Sequence, residues 1–386
     1  MRLEVTGRDS GRQVVNDLAS ARAAGRQAYD LAVVPHRFLG ELVESGLVAR
    51  LDAGILGDLG ESDFFEGWWR ATGWYRGTPY GLPFAARSMS LWSRGDFWDE
   101  EDADAFYRKY RVPVPLPATW TDVERMVEFQ HRPASGRFGT VLAGAADEGL
   151  FHLWLQYAYS FGARIFDAPG PDEYGEIVVN SPAAVRATEL YLKLLRNFSP
   201  PDASGYTVEQ ALRAFQDGRI AIAVMWHDLS PRLDDQREST VPMRTDYERV
   251  PSAGTPPVTL LEADLLVVLE HAPARDAAIQ AARWALSHDA QREMTLNGAF
   301  SARPPVYADP AIKGHLLQHK WNYPRLAAGA VPVPMVAEAD RIAVLMAREL
   351  SRAASGELQP KAALDRIAVD ISRMLAGKAK LRYAPR

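Results

Sequence analysis

Cysteine is absent from this chain of 386 residues. The chain therefore has no disulfide bond, no thiol nucleophile and no cysteine metal site. Long apolar runs are absent as well, since no stretch approaches the roughly 20 residues that a membrane-spanning helix needs. The first residues, MRLEVTGRDSG, contain no apolar signal region. We therefore expect no membrane span, and no signal peptide in the sequence as given.

An excess of positive charge is also missing. Lysine and arginine number 44 and aspartate and glutamate 49, which gives a net charge of -5 at pH 7. Proteins that bind nucleic acid neutralise phosphates with clustered basic side chains. This charge balance excludes a broad basic surface, so we expect no nucleic-acid partner.

Common catalytic motifs are missing too. The chain has no phosphate-binding loop ending in Lys-Ser/Thr, no G-x-G-x-x-G and no G-x-S-x-G. His315 and His319 have the spacing of helical zinc ligands but lack the glutamate beside the first histidine. We predict neither a metal nor a cofactor. A pair of glycosidase carboxylates stays open, although nothing in the sequence picks out two at a suitable separation.

Aromatic residues are abundant, with 10 tryptophans and 14 tyrosines. Such rings fill protein cores, and they also pack against the C–H faces of sugars. Residues 71–84 (ATGWYRGTPYGLPF) predict a tight hairpin, because two apolar-aromatic runs flank Arg76 and Gly77. We interpret this hairpin and the extended residues after it as one wall of a cleft. An ordinary surface hairpin is the alternative.

Two continuous apolar runs, residues 29–34 (YDLAVV) and 219–226 (RIAIAVMW), are typical of strands buried in a parallel sheet. Helical patterns follow them, which predicts an open α/β sheet whose ligands meet the loops after the strands. A short strand is also predicted at residues 3–5. The side chains at the two strand ends are His36, Arg37, Trp226, His227 and Asp228. For the first two of these, a solvated helix start is the alternative.

A third strand pattern, residues 258–269, is interrupted by Glu262 and Asp264. Two carboxylates inside a strand are costly if they are buried unpaired. They therefore either face solvent or line a polar cleft and pair there. A loop at residues 298–305 adds Ser301 and Arg303.

The length of the chain predicts two domains or one large one. Stiff, proline-rich residues 113–117 and 256–257 are the predicted crossings between domains. Thr121 and Glu124 fit a helix capping box directly after the first crossing.

Six stretches, taken in this order, resemble the extracellular solute-binding proteins of bacterial ABC importers, of the sugar-binding type that includes maltose-binding protein (family 1). They are residues 29–52, 77–84 (GTPYGLPF), 116–122 (LPATWTD), 211–226, 297–310 and 354–371. The resemblance implies an α/β, two-lobed periplasmic-binding-protein fold, in which each lobe is a mainly parallel sheet flanked by helices. It assigns residues 1–112 and 255–309 to an N-terminal lobe, and residues 113–254 and 310–386 to a C-terminal lobe. A hinge joins the lobes and the ligand lies between them.

The resemblance also implies ligand-binding residues in the cleft between the lobes. Trp226 would stack on a sugar, while His36 and Arg87 would make polar contacts to it. The full predicted set is His36, Arg37, Arg87, Trp154, Trp226, His227, Asp228, Glu262, Asp264, Ser301 and Arg303. Trp154 lies in an aromatic helical pattern, for which a core position is the alternative. Because the three arginines would share one cleft, an anionic sugar would suit it as well as a neutral one.

The function implied is that of a monomeric, non-catalytic component of an ABC transporter that binds a mono- or oligosaccharide. Its partner would be the transmembrane permease, and its location periplasmic or extracellular with a lipid anchor. The family normally begins with an export signal and a further strand–helix unit, so we expect a natural chain that is longer or that starts upstream. The alternatives are a carbohydrate-active hydrolase using Glu262 and Asp264, and a receptor for a non-sugar solute such as a polyamine or an organophosphate.

Overall fold

A mixed β-sheet forms the centre of the computed structural model, which describes residues 4–26, 29–57, 59–254, 256–314 and 322–384. The strands are β1 (Leu31–Pro35), β2 (Trp74–Tyr75), β3 (Thr78–Pro79), β4 (Leu82–Arg94), β5 (Phe138–Thr140), β6 (Phe166–Asp167), β7 (Glu176–Ile177), β8 (Ile220–Trp226), β9 (Thr245–Glu248), β10 (Thr259–Val268) and β11 (Ala330–Pro332). In the described residues the main sheet has seven strands in the order β1-β10-β4-β8-β5, with β11 beside β10 and β9 beside β4.

Helices cover both faces of this sheet. They are α1 (Gly11–Ala23), α2 (Leu39–Glu44), α3 (Ala53–Leu56), α4 (Trp68–Gly73), α5 (Glu100–Tyr110), α6 (Trp120–Gln130), α7 (Glu148–Ser160), α8 (Pro182–Phe198), α9 (Val208–Gln216), α10 (Ser230–Asp234), α11 (Arg275–Ala285), α12 (His288–Leu296), α13 (Pro304–Ala308), α14 (Pro310–Gly314), α15 (Tyr323–Leu326), α16 (Ala339–Ala354) and α17 (Pro360–Leu375). No helix among the described residues has both the length and the apolar character that crossing a bilayer requires.

Strand β4 is shared by the two halves of the sheet. Its residues 82–88 pair with β10, and its residues 89–94 pair with β8 and β9. Arg87 of β4 lies opposite Glu262 of β10, and Met89 of β4 lies opposite Trp226 of β8. Since side chains two residues apart point to the same face of a strand, Arg87 and Met89 share one face. The register thus places a charged pair and an indole in neighbouring rows.

The predicted α/β fold is confirmed, but the mainly parallel pairing is wrong. Strand β1 runs antiparallel to β10, and β4 runs antiparallel to both β10 and β8. In the described part of the chain only the β5–β8 and β10–β11 pairs are parallel. An apolar run reports burial of both faces of a strand beneath helices, and that burial does not depend on the direction of the neighbouring strand.

The predicted hairpin is confirmed. Strands β2 and β3 pair around Arg76 and Gly77, whose φ angles are 48° and 76°. Two consecutive positive φ angles are the mark of the type I′ turn, which matches the twist of the strands it joins.

Two local predictions are wrong. Glu4 and Val5 are in irregular, exposed backbone rather than a strand. The capping box of α6 uses Thr119 and Asp122, because the Thr119 hydroxyl accepts from the Asp122 N–H at 3.2 Å and the Asp122 carboxylate accepts from the Thr119 N–H at 3.1 Å. The pair His315 and His319 lies outside the described residues.

Helix α7 is almost entirely buried. All of its residues from Leu150 to Ser160 are buried, and they pack into a core with α8, α16 and α17. The side-chain amide of Gln156 donates to the Val258 carbonyl at 3.1 Å, and its oxygen accepts from the Leu260 N–H at 2.7 Å. This helix is therefore fixed to the start of β10, and its first turn lies beside Glu262.

Candidate functional site

Glu262 lies at the centre of a buried charged cluster. Its carboxylate is fully buried on β10 and accepts from Arg37 through one oxygen and from Arg87, at 2.6 Å, through the other. Burial opposes ionisation of this carboxyl, but the charges of Arg87 and Arg37 outweigh burial and hold the pKa of Glu262 well below its usual range. Glu262 is therefore an anion at neutral pH, with both oxygens occupied.

Arg37 links three elements to this carboxylate. It lies in the single helical turn that follows β1, and its side chain is only 3% exposed. Besides Glu262, it donates to Glu148, the first residue of α7, at 2.7 Å. Its Nε atom is 3.6 Å from Asp340 in the first turn of α16, and its guanidinium lies 4.5 Å from the centre of the Phe38 ring. One guanidinium thus connects β1, β10, α7 and α16.

Two buried histidines border the cluster. His36 Nε2 donates to the Val333 carbonyl at 2.9 Å, and its Nδ1 accepts from the Ala263 N–H at 3.1 Å. Burial lowers the pKa of His36 to about 4 and that of His152 to about 3. Both imidazoles are therefore neutral at pH 7, and His36 holds the end of β1 against β10.

Trp226 and Arg87 meet at the end of β8. The Arg87 guanidinium is 5.3 Å from the centre of the Trp226 ring, and the His152 ring meets the same indole edge-on at 5.3 Å. The indole is 6% exposed. In this conformation Arg87 and His152 therefore lie against the Trp226 ring, which the sequence predicted to stack on a sugar.

Asp228 and Asp264 lie at the more open side of the cluster. Both are partly buried, and burial raises the pKa of each carboxyl while the nearby charge of Arg87 opposes the shift. Neither forms an ion pair with any residue that the structure describes. Asp228 Oδ1 is closed off from solvent and accepts no hydrogen bond.

The other predicted residues lie outside this cluster. Trp154 is 1% exposed and donates to Thr188 at 2.8 Å in the core around α7 and α8. His227 is fully buried, hydrogen-bonded to Ser90 at 2.8 Å and stacked on Tyr323.

The loop residues Ser301 and Arg303 bind protein groups as well. Ser301 donates to Gln291 at 2.5 Å, and Arg303 pairs with Asp63 at 2.7 Å and bonds the Leu286 carbonyl. The expectation that three arginines share one cleft is therefore wrong in this conformation, because local partners hold Arg303. Ligand contact by any of these residues stays a prediction.

Sequence reasoning missed three members of the cluster: Glu148, His152 and Asp340. Glu148 and His152 have the i, i+4 spacing that places side chains on one helix face, and Glu148 directly follows Asp147, the N-cap of α7. That spacing was a usable signal. Asp340 has no such signal, because only the packing of α16 brings it near Arg37.

Among the described residues, Glu148, His152 and Glu262 form a group that could hold a metal ion, since their donor atoms lie within 4.8 Å of one another. However, both Glu262 oxygens accept from arginine, and Arg37 also donates to Glu148. A divalent cation would have to replace or approach two guanidiniums. These residues therefore fit an ion-paired network better than a metal centre.

Comparisons with known proteins place the chain in a family. Residues 2–292 match the model of the family described as bacterial extracellular solute-binding protein. The mannitol-binding protein of Pseudomonas aeruginosa is 28% identical over 244 residues, which are 61% of this chain. That match spans 52% of the length of the mannitol-binding protein, about half.

Two solved structures share the fold. Maltose-bound MalE3 of T. maritima superposes with a TM-score of 0.79 at 23% identity, covering 96% of this chain and 91% of that one. A ribitol-bound ABC transporter solute-binding protein of Agrobacterium radiobacter K84 also gives 0.79, at 20% identity, covering 94% of this chain and 89% of that one. The match of residues 2–292 to the family model covers more than half of the chain, and it shows that the chain belongs to the bacterial extracellular solute-binding proteins.

Proposed function

We propose that this protein is the substrate-binding component of an ABC importer and that it binds a sugar or polyol between two lobes. The observation that carries the proposal is the cluster around Glu262, which joins β1, β4 and β10 to α7, α16 and β8. Paired arginine and carboxylate groups present fixed donors and acceptors that suit a molecule rich in hydroxyl groups. The names of relatives that bind mannitol, ribitol and maltose support the same ligand class.

The lobes of this proposal are those expected from the sequence. The first, residues 1–112 and 255–309, contains β1, β4 and β10, and the second, residues 113–254 and 310–386, contains β5 and β8. Ligand binding would exchange the ion pairs of Arg37 and the Arg87–Trp226 contact for contacts to hydroxyls. Closure would then require the ligand to contact both lobes.

The protein would act as a monomer without catalysis, outside the cytoplasm and held near its permease by a lipid anchor. A hydrolytic role for Glu262 is disfavoured, because both of its oxygens accept from arginine and neither is free to act as a nucleophile or base. An organophosphate ligand is disfavoured by the carboxylates that surround Arg87.

Calorimetric titration with mannitol, ribitol, sorbitol, glucose, maltose and tagatose tests the proposal. We expect at least one of them to bind and to raise the melting temperature further as its concentration increases above its dissociation constant. In Trp226→Phe the affinity for that ligand should fall, because the smaller ring offers less stacking surface. Trp284→Phe is the matched control, since Trp284 is 61% exposed on α11. Absence of binding by every sugar and polyol would overturn the proposal.

A further inference from the structure

Carboxylates outnumber cationic side chains in the cluster. Glu148, Glu262, Asp340, Asp228 and Asp264 face Arg37 and Arg87, and both nearby histidines are neutral. Arg12 adds a positive charge at 2.8 Å from Asp340, but it is also bound to Glu41. With all five carboxyls ionised, the cluster therefore carries a net negative charge.

The uncompensated charge lies at Asp228 and Asp264. Arg37 is paired with Glu262, Glu148 and Asp340, and Arg87 is paired with Glu262. Asp264 is two residues beyond Glu262 on β10 and therefore on the same face of the strand. Asp228 follows Trp226 by two residues, in the turn that ends β8. Both carboxylates interact electrostatically with Arg87 and with each other.

Buried polar atoms without partners indicate where a ligand would bind. His152 is 2% exposed, and its Nε2 atom, 3.8 Å from Glu262, makes no hydrogen bond. Among the described residues, the Nε atoms of Arg37 and Arg87 and Oδ1 of Asp228 also make no hydrogen bond. An unsatisfied buried polar group is costly, so this set favours a ligand that both donates and accepts.

We propose that the ligand carries a protonated primary amine in addition to hydroxyl groups, as an amino sugar or an amino polyol does, and that Asp228 and Asp264 hold the ammonium group. The inference rests on the proposed function, because it places the amine in the same site. An ammonium supplies three donors and the positive charge that the two carboxylates lack. The hydroxyls satisfy the remaining donors and acceptors. The attraction is strong because the site is largely shielded from water.

Matched pairs of ligands test this inference by calorimetry at pH 7. The pairs are 1-amino-1-deoxy-D-glucitol with D-glucitol, and the 2-amino-2-deoxy forms of glucose, galactose and mannose with their parent sugars. Each pair differs only in an amine that replaces a hydroxyl. We expect the amine to bind roughly tenfold more tightly in at least one pair, and the preference to shrink as salt is added. N-acetylation, which removes the charge, should abolish it.

Variants locate the effect. Asp228→Asn and Asp264→Asn should each lower the ratio of the two affinities towards one. Asp104→Asn removes a charge from an exposed position on α5 and should leave that ratio unchanged. Equal or weaker binding of the amine in every pair overturns this inference while the proposed function stands. No binding by any charged or neutral member, or by the sugars and polyols named above, overturns both.

Discussion

The role of Glu262 could be assigned only once its partners in the structure were known. From the sequence, a carboxylate inside an apolar strand either faces solvent or pairs in a cleft. The structure shows the second, with a fully buried carboxylate between two guanidiniums. The pairing was not predictable because Arg37 and Arg87 are 225 and 175 residues away along the chain. Only the register of β4 on β10 and the turn after β1 bring them together.

Replacing this carboxylate should be costly. In Glu262→Gln the partly buried Arg87 loses its ion pair and the buried Arg37 loses one of its three carboxylate partners, and we expect the free energy of unfolding to fall by about 3–5 kcal/mol. Urea denaturation followed by circular dichroism measures the change. Glu128→Gln is the matched control: Glu128 pairs with Lys109 at 2.9 Å with both side chains about half exposed, so its loss should cost less than about 1 kcal/mol. Similar losses in the two variants would contradict the central role of Glu262.

At the scale of elements, the local sequence predicted buried strands and the turn correctly, but it did not predict the direction in which the strands pair. The two apolar runs form β1 and β8, and Arg76 and Gly77 form a hairpin turn. Each depends on neighbours within a few residues. The direction of β10 relative to β1 and β4 depends on how distant segments pack, which no local pattern records.

The hairpin yields a test of the turn itself. Gly77 has φ 76°, and a Cβ atom added there would meet nothing within 4 Å. Gly77→Ala should therefore cost about 1 kcal/mol of stability through backbone strain alone, without a clash. Gly205→Ala is the control, because that position is equally open and its φ lies outside the left-handed region. Urea midpoints that shift equally in both variants would argue against the I′ turn.

For the molecule as a whole, the notable arrangement is that Arg37 ties separate cores together. Phe38, next to it, packs in the core around β1 and α2, whereas Asp340 and Glu148 begin helices of the core around α7, α8 and α16. The ion pairs of Arg37 with Glu148 and Asp340 therefore connect these two cores. The lobe boundaries predicted from the sequence remain a prediction.

Loss of these ion pairs should open the molecule. In ligand-free Arg37→Gln we expect a larger radius of gyration by small-angle X-ray scattering, because α7 and α16 lose their contact with the turn after β1. Arg303→Gln makes the same change in charge at a pair formed with Asp63, and it should scatter like the unsubstituted protein. An unchanged radius in Arg37→Gln would show that packing alone keeps the lobes together.

Strand β4 limits what such an opening looks like. At Ser88 and Met89 the backbone leaves the β10 ladder and enters the β8 ladder, and the Thr259 hydroxyl binds the Met89 carbonyl at 2.6 Å. Because β4 is continuous, pulling the two halves of the sheet apart would break its ladders, whereas twisting the strand would not. The lobes should therefore rotate about the axis of β4. Arg87 and Trp226 lie beside that axis, where displacements are smallest. Residues of the cluster near this axis would thus be displaced less than residues at the outer edges of the two lobes.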